Sequence, residues 1–178
     1  MEILNDFNVS VQKSLEEIDP HYLDYPGIVI CGTHSPHDVE EMIATIQKVR
    51  LTKTPFLGIC FGHQLAAVEY ARNVLGFKDA TSEEFGLPVQ EVVISSFGAG
   101  MIHPTSRNYV VTKLSQLKVG LHDGESYWNN YEVVPHFEDN WIKEENFITC
   151  QYHPEYQSSK DKPHPLLVKF LNHAKMAM

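Results

Sequence analysis

Two short apolar runs, each followed by a stretch of helical period, most constrain what this chain can fold into. Gly27-Ile28-Val29-Ile30-Cys31 and Pro55-Phe56-Leu57-Gly58-Ile59-Cys60 show no polar alternation, so each predicts a strand covered on both faces, as in a parallel sheet. After the first, Val39, Met42, Ile43, Ile46 and Val49 form a stripe that predicts a helix over 39–49 with Asp38 as its cap. After the second, Leu65, Val68, Ala71 and Leu75 predict a helix over 64–75 that Gly76 stops. Two consecutive βα units imply parallel strands joined by right-handed crossovers. The expected fold class is therefore α/β, a layered, mostly parallel open sheet flanked by helices. In such sheets the reactive groups gather at strand C-terminal ends.

The remaining signals extend this plan. Residues 147–152 predict a last core strand, and 165–176 a closing helix with Leu166, Leu167, Phe170, Leu171 and Ala174 inward. Between 85 and 134 the chain reads as loops and short strands, at 89–95 and 110–114, with a turn at Asp123-Gly124. Near the start, Val11, Leu15 and Ile18 have the spacing of a short helix over 10–18. With 178 residues and 43% hydrophobic content, one core suffices, so a single domain over 1–178 is expected.

Charge and cysteine usage remove several function classes. A formal charge of −9 without a dense Lys/Arg cluster argues against nucleic-acid and membrane-surface partners. The apolar runs are too short to span a bilayer and the acidic, polar start lacks a signal-peptide layout, so a cytoplasmic location is expected. Cys31, Cys60 and Cys150 are odd in number and show no C-x-x-C spacing, which suggests neither a disulfide framework nor a thiolate zinc site. His34 and His37 are the only close histidine pair on a predicted loop, with no carboxylate or thiol placed beside them. No metal and no cofactor is expected.

Two motifs carry chemistry. Gly58-Ile59-Cys60-Phe61-Gly62 is a G-x-C-x-G between a strand and a helix, the thiol counterpart of the G-x-S-x-G nucleophile elbow. The glycines relieve crowding as the chain reverses, and the helix N-terminus favours a thiolate at Cys60. The plain alternative is a buried structural cysteine on a glycine-rich turn. The second motif, Tyr152-His153-Pro154-Glu155-Tyr156, follows the last core strand. There an extended backbone sets His153 and Glu155 on one face, so the carboxylate can orient an imidazole that addresses a thiol. Its alternative is a surface His and Glu in a turn. Both motifs fall at strand C-terminal ends of one predicted sheet, where they can converge.

The segments Pro55-Phe-Leu-Gly-Ile-Cys-Phe-Gly-His-Gln-Leu-Ala, Glu69-Tyr-Ala-Arg-Asn-Val-Leu-Gly, Thr81-Ser-Glu-Glu-Phe and Gln151-Tyr-His-Pro-Glu-Tyr resemble class I glutamine amidotransferases. Within that group they are similar to the glutaminase domain of CTP synthase and its small stand-alone relatives. The resemblance runs over about 27–95 and 127–174. It implies a flavodoxin-like fold, here shortened before Gly27. It also implies a Cys60, His153, Glu155 triad that attacks the glutamine side-chain amide, releases ammonia and hydrolyses a γ-glutamyl thioester. Gly32, Gln64, Glu84, Asn130 and Tyr131 fall at substrate-binding positions, with Gln64 and Glu84 at the α-amino end, where a carboxylate suits an ammonium. The oxyanion needs two backbone donors, and Phe61 and Thr33 are the candidates.

Two departures separate the chain from the family pattern. Thr33, in Cys31-Gly32-Thr33-His34-Ser35, stands where a second glycine is usual, and its β-branch restricts the loop that completes the oxyanion hole. Asn130, in Trp128-Asn129-Asn130-Tyr131-Glu132-Val133, offers a neutral amide where an arginine grips the substrate carboxylate. No P-loop pattern is present, so any use of the ammonia calls for a separate synthetase subunit. Two other readings fit the same residues: a catalytically impaired relative with a binding or regulatory role, and a hydrolase of another γ-glutamyl compound.

Overall fold

A computed structural model of the chain describes residues 10–12, 26–33, 38–82, 85, 110–133 and 145–177. In chain order the elements are β1 (Ser10–Gln12), β2 (Ile28–Ile30), α1 (Val39–Thr52), β3 (Phe56–Ile59), α2 (Phe61–Asn73), β4 (Thr81–Ser82), β5 (Val110–His122), β6 (Glu125–Val133), β7 (Phe147–Cys150), a 3-10 helix over Pro154–Gln157, and α3 (Pro165–Met176).

The unbroken apolar runs become the parallel sheet β1-β2-β3-β7. Their lack of alternation follows from cover on both sides. Ile28, Ile30, Phe56 and Phe147 pack on the α1 and α2 side with Met42, Ile46, Val49, Leu65 and Val68. Val29, Leu57, Ile59, Ile148 and Cys150 pack on the other side against Leu167, Phe170 and Leu171 of α3. This is the layered α/β fold expected, with helices on both faces.

An ion pair fastens α1 to α2. Arg50 donates from Nε and from a terminal guanidinium nitrogen to the two carboxylate oxygens of Glu69, at 2.9 and 2.7 Å. The Glu69 side chain is fully buried, so the pair is a fork-shaped charge-assisted contact shielded from water.

Several local expectations need correction. Residues 10–12 are an edge strand paired to β2, not the start of a helix; three residues are too few for helical spacing to outweigh a ladder of backbone hydrogen bonds. Asp38 stands before α1, yet its side chain forms no capping bond. α2 begins at Phe61, three residues early, because the turn at Cys60 leads straight into it. The stretch predicted as short strands contains a long hairpin: β5 and β6 pair antiparallel around Asp123-Gly124, with an irregularity between Leu114 and Lys118. Both turn residues have positive φ, 53° and 86°, as a two-residue hairpin loop requires. β7 stops at Cys150, two residues short of the expected end. The predicted strand over 89–95, residues 13–18 of the expected helix, and His34 and His37 lie outside the described residues.

Candidate active site

β3 lies between β2 and β7, and the chain just past the C-terminal ends of these three strands carries Gly32, Cys60 and His153. Cys60 alone links β3 to α2. To reverse the chain it adopts φ 52° and ψ −103°, a conformation that costs a side-chain-bearing residue about 1–3 kcal/mol. The flanking glycines make the turn sterically feasible. A Cβ on Gly58 would sit 2.8 Å from the Gly62 carbonyl oxygen, and one on Gly62 would strike the Ile30 carbonyl oxygen. The Cys60 N–H donates to the Cys150 carbonyl at 2.8 Å, and the Gln64 N–H donates to the Cys60 carbonyl at 3.1 Å. No side chain caps α2 and its first turn holds no acidic residue. The partial positive charge of the helix terminus therefore lies at Cys60 unopposed from that turn, a setting that favours sulfur anion.

His153 is held from three sides. Its N–H donates to the Ser126 carbonyl of β6 at 2.7 Å, and the Tyr156 ring stacks on the imidazole with centroids 4.8 Å apart and planes 9° apart. Its Nδ1 lies 2.7 Å from Glu155 Oε1. An ionised carboxylate only accepts, so this contact places a proton on Nδ1. Nε2 is buried and has no hydrogen-bond partner among the described residues. The pair is not extended as the sequence suggests. The 3-10 helix starts at Pro154, so Glu155 folds back toward the ring instead of lying beside it on a strand.

Gly32 brings the thiol and the imidazole into one frame. A Cβ on Gly32 would lie 3.0 Å from His153 Cε1, 3.1 Å from Cys60 Cβ and 3.5 Å from Cys60 Sγ. Sulfur and imidazole thus border the same small volume, left open by the absent side chain. Thr33 follows Gly32 and is half-buried, and Phe61, buried, opens α2.

A second cluster forms behind α2. Gln64, buried at 2% exposure, donates from Nε2 to the Tyr131 carbonyl at 3.1 Å, and Asn129 donates to the same oxygen at 2.9 Å. Gln64 Oε1 and Asn129 Oδ1 are buried without partners among the described residues, leaving two acceptors for a ligand's N–H groups. The structure thus joins Gln64 to Tyr131, while Glu84 and the Asn130 side chain lie outside the described residues. Sequence reasoning missed Asn129. It also missed Gln151, whose side-chain nitrogen lies 3.6 Å from Cys60 Sγ.

Three neighbouring acids hold their protons more tightly than usual. Burial, reinforced by Glu155 and Cys60, pushes the Cys150 thiol well above its ordinary range. Burial and Cys150 push the Tyr152 phenol up to about 12, and burial, then Glu155, raises Tyr156. None of the three cysteines forms a disulfide. Among the described residues no group of three His, Cys, Asp or Glu is arranged to hold a metal ion.

Comparison with known proteins places the chain in one family. The sequence model described as Glutamine amidotransferase class-I matches residues 5–173. CTP synthase of Dictyostelium discoideum is 30% identical, with 97% of this chain and 36% of that protein covered. CTP synthase of Methanoregula boonei is 33% identical, with 83% of this chain and 34% of that protein covered. The chain therefore spans about a third of the length of these relatives. The solved glutaminase domain of Trypanosoma brucei CTPS with bound acivicin shares the fold, with a TM-score of 0.59 at 20% identity over 89% of this chain and 77% of that one. The chain belongs to the class-I glutamine amidotransferase family.

Proposed function

We propose that this chain, as one domain, is a thiol-dependent glutaminase of the CTP synthase type, hydrolysing the glutamine side-chain amide through a thioester on Cys60 and delivering ammonia to a separate synthetase subunit. His153 Nε2 takes the thiol proton, and the thiolate attacks the amide carbon. The Phe61 and Thr33 amides receive the oxyanion. Collapse of the tetrahedral species expels ammonia, to which the imidazolium returns its proton. Water then attacks the thioester with His153 as base, and glutamate leaves. Gln64 and Glu84 take the substrate ammonium group, while Gly32, Asn130 and Tyr131 border the rest of the substrate. The reading assigns the protein to the cytoplasm; among the described residues no helix is long and apolar enough to cross a membrane.

The observation that carries this reading is the shared border of Cys60 Sγ and the His153 ring at Gly32, with Glu155 behind the imidazole. The test is ammonia release from L-glutamine, with and without candidate synthetase subunits, by the parent protein and Cys60→Ser. The expected result is release that Cys60→Ser abolishes. Folded protein that releases none in any combination, and whose Cys60 resists a glutamine-like chloroketone, overturns the reading.

A further inference from the structure

Gln151 lies just beyond β7. Its side-chain Nε2 donates to Cys60 Sγ at 3.6 Å, while its Oε1 is buried with no hydrogen-bond partner among the described residues. This is an asymmetric way to hold an amide. A buried carbonyl oxygen left unsatisfied is costly. The opposite orientation would set an oxygen lone pair against sulfur, which is worse still when the sulfur is charged. The arrangement stabilises sulfur anion far more than neutral thiol, because a hydrogen bond to an ionised acceptor is roughly twice as strong as a neutral one.

Resting on the reading of Cys60 as the nucleophile, we propose that Gln151 is a further catalytic residue, whose side-chain amide donates a hydrogen bond to the Cys60 sulfur and holds it as a thiolate aimed at the substrate. The proton balance is simple. The thiol proton passes to His153 Nε2, giving thiolate and imidazolium, and Gln151 keeps both its amide protons throughout. When sulfur becomes acylated it loses its charge and the Gln151 bond weakens. The amide thus favours the free thiolate over the thioester and guides sulfur back to one position after each turnover. Among the described residues, Cys150 on β7 and Tyr156 over the imidazole both feel the Cys60 sulfur, and Glu155, Cys31 and Glu125 act on the same neighbourhood. The uncharged Gln151 acts beside them without titrating.

The test reads thiolate formation directly. Full-length protein is alkylated with iodoacetamide across pH 5 to 10, and the Cys60-containing peptide is quantified by mass spectrometry for the parent protein, Gln151→Met and Gln151→Glu. The expected result is a labelling midpoint about one pH unit higher in Gln151→Met and higher again in Gln151→Glu, with thermal unfolding showing folded protein. An unchanged midpoint in folded variants overturns the proposal and leaves the Cys60 reading standing. A parent protein that labels Cys60 no more readily than a free cysteine overturns both. A second arm needs only parent protein and Cys60→Ser. The Gln151 side-chain amide protons, followed by NMR, shift with the same midpoint as labelling in the first and stay flat in the second; flat signals in the parent also overturn the proposal.

Discussion

Glu155 accepts a 2.7 Å hydrogen bond from His153 Nδ1, and this contact fixes the ring against the carboxylate with Nε2 on the side away from it. Replacing the carboxylate with an amide leaves the shape but lets the ring adopt either tautomer. For Glu155→Gln the expected outcome is a fall in kcat/KM for glutamine hydrolysis on the order of 10²–10⁴-fold, with an unfolding temperature close to that of the parent. Coupled ammonia assays and thermal melts check both halves.

Gly32 predicts a site that is closed by one methyl group. Its missing Cβ would press on His153 Cε1 at 3.0 Å and on Cys60 Cβ at 3.1 Å, contacts tight enough to push the two side chains apart. Gly32→Ala is expected to lower kcat/KM by about 10²-fold, the scale of a 1 Å misplacement of reacting groups, while circular dichroism stays native. Full activity in that variant would show that sulfur and imidazole do not work across this gap.

Two ion pairs made by α1 and α2 should differ sharply in worth. Arg50 and Glu69 meet with Glu69 fully buried, so Glu69→Ala removes a fork-shaped charge-assisted contact and is expected to cost about 1.5–3 kcal/mol. Arg72 meets Glu40 at 2.6 Å, but the Glu40 side chain is 72% exposed, and Glu40→Ala is expected to cost under about 1 kcal/mol. Urea unfolding of both variants tests the contrast.

Alkaline pH should weaken the fold through β7 and the residues after it. Cys150 and Tyr152 both hold their protons above their ordinary values, chiefly because they are buried. The unfolded chain releases those protons first, so it binds fewer protons in that window. Stability is then fully present below about pH 9 and is lost as pH rises toward about 12. Thermal melts at stepped pH are expected to show this decline, with Tyr152→Phe flattening its upper part; a flat parent profile would contradict it.

The sequence reveals the sheet because both of its faces are covered. Val29 and Leu57 pack toward α3 while Ile28 and Phe56 pack toward α1 and α2, which writes each strand as an unbroken apolar run. The hairpin is hard to read for the opposite reason: Val119, Leu121 and Trp128 are apolar yet 57%, 68% and 50% exposed, so apolar character no longer marks the inner face. In the site, Cys60 and His153 are legible because a sharp turn needs glycines and a strand end has a recognisable shape. Gln151 and Asn129 are not, since an amide acquires its role only from what a distant segment places opposite it.

Gly62 touches the Ile30 carbonyl so closely that no larger residue fits between α2 and β2. The spacing between a helix and its sheet is therefore fixed by the same residues that fix the Cys60 sulfur. Adjusting that spacing to improve packing would retune the chemistry, and the reverse holds as well. Changes in what the protein accepts must then come from outside this turn, above all from the hairpin whose Ser126 carbonyl holds His153.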